Sequence, residues 1–77
     1  MNKREIIANV QHQIWAHWMK YLFSICPGNP DGSVTIPAEK VERWVTQINT
    51  SYENLSNGEK ESDRHQADKV LVAIGEQ

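Results

Sequence analysis

Apolar residues recurring every three to four positions predict a mainly α, compact three-helix domain with one short extended segment. Two further observations support this. A Pro- and Gly-rich break separates the first two periodic stretches, and a capping box opens the third. The chain has 77 residues, which is one domain, 1–77, and too short for two.

Residues 2 to about 24 form the first predicted helix. Ile7, Val10, Ile14, Trp18 and Leu22 make its apolar stripe. At 100° per residue Trp18 sits at the stripe's centre, Trp15 lies to one side, and His12 and Met19 share that flank. Trp18 is therefore expected in the core and Trp15 at its rim. Cys26-Pro-Gly-Asn-Pro-Asp-Gly32 ends the helix with turn-forming residues.

Ser33-Val-Thr-Ile36 alternates and predicts a short extended piece. Pro37 suits the first position of a helix, where a missing N–H costs nothing. Val41, Trp44, Val45 and Ile48 then give the second helix an inward face. After a loop over 49–54, Ser56 and Glu59 have capping-box spacing, and Leu55 stands where a staple would. The third helix runs to about Gly75, with Ala67, Val70, Leu71 and Ile74 expected inward. In all, about fourteen apolar side chains fall on inward faces by this pattern. So small a core is marginal, and self-association or a bound ligand would add stability.

Composition excludes several functions. The net charge is −2 and the eight Lys and Arg residues are scattered, so no basic stripe suits duplex nucleic acid. Cys26 is the sole cysteine; no internal disulfide can form, and a reducing, cytoplasmic setting fits. No apolar run reaches membrane-spanning length. His12 and His17 are five apart and diverge by about 140° on a helix, unlike a zinc-binding i, i+4 pair. No metal or cofactor site is expected. There is no phosphate-binding Gly-rich loop and no nucleophile elbow, so no catalytic residue is assigned.

Two clusters remain as candidates for binding. His12 and Trp15, at i, i+3, form a flat shelf that widens the core stripe or, alternatively, stacks a planar ligand. Lys60, Asp63 and Arg64 near a helix N-terminus admit two readings as well. One is a solvated face, with Arg64 paired to Asp68 and Asp63 accepting a hydrogen bond from Tyr52 or Trp44. In the other, Arg64 holds phosphate and Asp63 receives a ribose hydroxyl or a base N–H.

A longer pattern bears on that choice. His12-Gln-Ile-Trp15 lies in the first helix, and Tyr52-x-x-Leu55, Glu59-Lys60, Asp63-Arg64, Ala67, Leu71 and Ile74 follow in fixed register. Together these resemble the ryanodine-receptor-repeat (RyR-type) domain, over the first helix and the last third of the chain. The middle departs from that family. Ser51 replaces its usual Pro, and Cys26–Ile36 replaces its Gly-Trp-x-Tyr hairpin start. The chain is also similar to small proteins carried by phages and prophages.

The resemblance implies a non-enzymatic domain for an adenine-nucleotide-derived signal, cyclic or ADP-ribose-like. It implies ligand contacts from His12, Trp15, Tyr52, Lys60, Asp63 and Arg64. Trp15 would stack on the base, His12 and Asp63 would read its edge, and Arg64 would hold phosphate. In a phage protein this would sequester a host defence signal. The alternative is a protein-interaction factor docking on a host complex through exposed Trp15, Tyr21 and Phe23.

Overall fold

The computed structural model describes residues 2–75. Among them are three α-helices, α1 (Lys3–Ile25), α2 (Ala38–Ile48) and α3 (Asn57–Ala73), with a single 3-10 turn, Tyr52–Asn54, ahead of α3. The mainly α, three-helix class predicted by the apolar spacing is the class observed. No described helix is long and apolar enough to cross a membrane.

Local chemistry sets each boundary. Asn2 caps α1 by accepting the Glu5 N–H at 2.9 Å. Cys26 leaves the helix in an extended conformation (φ −95°, ψ 131°), as the residue before a proline prefers. The next residues fold into a minimal hairpin in which Gly28 and Val34 form an antiparallel bridge. The Gly32 N–H donates to the Asn29 carbonyl at 3.0 Å, closing a turn over Pro30 and Asp31. Gly32 has φ 90°, a left-handed conformation that its missing side chain permits. Asp31 accepts both the Ser33 N–H at 2.9 Å and the Ser33 hydroxyl at 2.6 Å, which holds its carboxyl below the ordinary range. The extended segment expected over 33–36 is thus one bridge at Val34.

The capping box opens α3 as its spacing predicts. The Ser56 hydroxyl accepts the Glu59 N–H at 3.2 Å, and Glu59 accepts the Ser56 N–H at 3.1 Å. The Ser56 hydroxyl also donates to the Glu59 carboxylate at 2.8 Å. These donors, with a smaller contribution from nearby Arg43, hold the Glu59 carboxyl below its ordinary value. Gly75, at φ 79°, follows the end of α3.

Helices α1 and α3 pair antiparallel. His17 borders Glu61 and His65, while Asn9 and Val10 border Val72 and Ala73. This is the main helix–helix contact, and α2 approaches the pair less closely. The molecule measures 43 × 33 × 16 Å. It is flat and extended, its thinnest dimension well under half its longest.

That geometry corrects the expected core. Among the described residues the buried apolar side chains are Val10 (4% exposed) and Cys26 (7%), not the larger inward set of the sequence pattern. Val41, Val45 and Ile48 are exposed, Ile48 at 80%, although their spacing predicts an inward face. Ile7, Ala67 and Leu71 are exposed as well. The stripe of α2 is correctly phased, but the helix meets its neighbours on one shoulder. Trp44 and Gln47 face α1 and α3, which leaves the stripe's centre uncovered. No other described helix packs over Val41, Val45 and Ile48.

Candidate functional site

Where the three helices converge they enclose a cleft of about 340 Å³. Helix α1 supplies Trp18, Met19, Tyr21 and Leu22; α2 supplies Trp44 and Gln47; α3 supplies Asp63. An adjoining lobe of about 250 Å³ shares Trp18, Tyr21, Trp44 and Gln47 and adds Arg43 and Glu59. Trp18 and Tyr21 meet edge to face, with centroids 6.2 Å apart and planes at 89°. His17 also meets Trp18 edge to face, at 4.9 Å and 77°. Edge-to-face contacts of this kind are favoured by the aromatic quadrupole. Both contacts restrain the Trp18 indole, a wall of the cleft.

Helical spacing explains the composition of this hollow. Trp18 and Leu22 stand one turn apart on α1, and Trp44 and Gln47 stand one turn apart on α2. The cleft is therefore apolar on its sides. Asp63, from the first turns of α3, is the acidic group among its walls. A planar ring with an N–H on its edge suits that arrangement.

The six residues singled out from sequence separate into three groups. His12 and Trp15 form the expected shelf, their rings stacked with centroids 5.8 Å apart and planes at 28°. Trp15 is 55% exposed, at the rim, and neither residue is a wall of the cleft. Tyr52, Lys60 and Arg64 come together. The Lys60 ammonium lies 5.8 Å from the Tyr52 ring centroid. Glu61 and then Tyr52 keep the Arg64 guanidinium more firmly protonated than usual. Asp63 enters the aromatic cleft alone of the six.

Two expectations about pairing change. Arg64 forms its ion pair with Glu61 at 3.1 Å, whereas Asp68 was the expected partner. Glu61 lies one turn toward the N-terminus on the same face, so either spacing satisfies the helix. The aromatic walls of the cleft that Asp63 enters are Trp18, Tyr21 and Trp44, not Trp15. Trp18 and Trp44, expected in the core, are half-buried: they pack at one edge and line the hollow with the rest. Tyr21, expected as an exposed interface anchor, also lines it, as does Gln47, which carried no distinguishing signal. A usable signal was present, however. Three large aromatics on helices too few to enclose them must leave ring surface open.

A larger cleft, about 570 Å³ between α2 and α3, is of another kind. It sets Glu39, Glu42 and Glu59 against Arg43 and has no aromatic wall. Among the described residues no group of three or more His, Cys, Asp or Glu side chains is placed to hold a metal ion. No family model matches this chain, and neither a curated protein nor a solved structure matches it significantly.

Proposed function

We propose that this chain is a non-enzymatic binding module for an adenine-nucleotide-derived ligand. The observation that carries the reading is the three-helix cleft, with aromatic walls and one carboxylate. The base inserts between Trp18 and Trp44, and Asp63 accepts the N–H of its exocyclic amine. At 100° per residue Lys60 and Arg64 lie within about 100° of Asp63 on α3. They are the cations nearest to hand for a phosphate, to which Arg64 turns by exchanging Glu61 for the ligand.

The resemblance to RyR-type domains over Tyr52–Ile74 supports the same ligand class, with the stacking role moved from Trp15 to Trp18 and Trp44. The likeness to phage proteins suggests sequestration of a nucleotide signal in the host cytoplasm. We place self-association in the same proposal, because the chain buries so little of itself.

Calorimetric titration with adenosine mono- and diphosphate, ADP-ribose and cyclic nucleotides tests this. One of them is expected to bind, and Trp44→Ala to weaken it about tenfold or more, since stacking contributes about 1–3 kcal/mol per base. Absence of heat from the whole panel, with helicity intact by circular dichroism, would overturn the reading.

A second reading is a protein-interaction factor. Trp15 at 55% exposure, Tyr21 at 41% and Phe23 at 60% are the residue types that anchor interfaces. A stoichiometric partner retained by Trp44→Ala and lost on Phe23→Ala would favour it over the ligand module.

A further inference from the structure

Two largely exposed apolar rows lie on α1 and α2, helices that both wall the aromatic cleft. On α1, Trp15, Met19 and Phe23 follow one another at i, i+4, i+8. On α2, Val41, Val45 and Ile48 form the second row, exposed at 44%, 50% and 80%. Met19 of the first row lines the cleft, and so does Trp44, the neighbour of Val45 in the second. Neither row contains a charged residue.

We infer that a second copy of this chain covers these rows, with α2 of each protomer lying across the other's cleft in a two-fold dimer. The proposal rests on the self-association named above and not on the identity of any ligand. It adds the surface involved and the consequence for the site.

Area identifies the occupant. The chain exposes 6065 Å², against about 4,800 Å² for a folded monomer of its mass. The excess is about 1,250 Å² per chain, or about 2,500 Å² for a pair, which falls in the range of obligate homodimers. The radius of gyration gives the same answer: 15.4 Å, where about 11.5 Å is ordinary for this length.

A chain without an enclosed core needs its cover as soon as it folds. The partner present in equal amount whenever this chain is made is itself. A two-fold axis makes one patch its own complement. Val41, Trp44 and Ile48 keep a, d, a spacing with Val45 beside them, which suits two antiparallel copies of α2. The partner's α2 then roofs the cleft, whose own volume is at the small end for a ligand site. The binding site is complete only in the dimer.

Light scattering on the full chain, with melting followed across a roughly hundredfold concentration range, tests this. The expected results are a mass near twice 8.9 kDa and a melting temperature that climbs with concentration. Ile48→Glu is expected to give monomer or to lose helicity, whereas Ile48→Leu keeps the dimer. A wild-type chain that stays monomeric with a concentration-independent melting temperature would overturn the proposal. So would an Ile48→Glu variant that remains a dimer. Either outcome leaves the nucleotide titration to be judged on its own.

Discussion

Gln66 sits on α3 with its side-chain oxygen enclosed and without a hydrogen-bond partner. An enclosed carbonyl oxygen that has given up water costs about 1–3 kcal/mol. Gln66→Met keeps the length of the side chain and removes the orphan acceptor. It is expected to raise stability by about 1 kcal/mol, read as a higher urea midpoint at unchanged slope. A lower midpoint would mean that the amide has a partner in solution. Other residues show how far single positions can be read in advance. The rim position of Trp15 follows from its angle on one helix, and the structure agrees. Which indoles share a cleft with Asp63 depends on how the three helices are rotated against one another, and residue spacing carries no information on that.

Helix by helix, the capping box is the best-defined device in the chain. Ser56→Ala removes the cap and is expected to cost about 1 kcal/mol, measured by thermal or urea unfolding. Its companion gives a pH dependence whose sign is fixed. The Glu59 carboxyl is held below its ordinary value of 4.5 by bonds from Ser56. Stability from those bonds is complete above pH 4.5 and is lost as pH falls through the lower folded value. The advantage of wild type over Glu59→Gln should therefore be full at neutral pH and shrink in acid. An advantage that grew on acidification would contradict the assignment. Gly32, at φ 90°, gives a second test. Gly32→Ala is expected to destabilise by about 1–2 kcal/mol, because a Cβ in the left-handed region meets its own carbonyl. Elements of this kind were legible in advance because caps, turns and periodicity are encoded within a few residues of each other.

For the molecule as a whole, the main contrast is between the α1–α3 pair and α2, which packs less closely against them. Amide hydrogen exchange should separate them. At high dilution the α2 amides are expected to exchange faster than those in the middle of α1 and α3, because α2 has the fewest packed neighbours. At high concentration the α2 amides should slow, as a second copy covers the helix. Equal protection of all three helices at every concentration would instead mean that α2 is already well packed in the single chain.

Residue order alone was enough for the helix class, the three helices and their caps, the Pro/Gly break and the stripe of α2. Each of these is a local matter, decided by neighbours three or four positions away. The cleft was legible only in part: of the six residues singled out, the pattern reached Asp63 among its walls and missed Trp18 and Trp44. Apolar periodicity says that a face seeks cover and does not say what covers it. Packing answers that, and here it turns the shoulder of α2 toward its neighbours and leaves Val41, Val45 and Ile48 open. The reason is geometric: a helix that meets its neighbours along one shoulder cannot have the centre of its stripe covered by them.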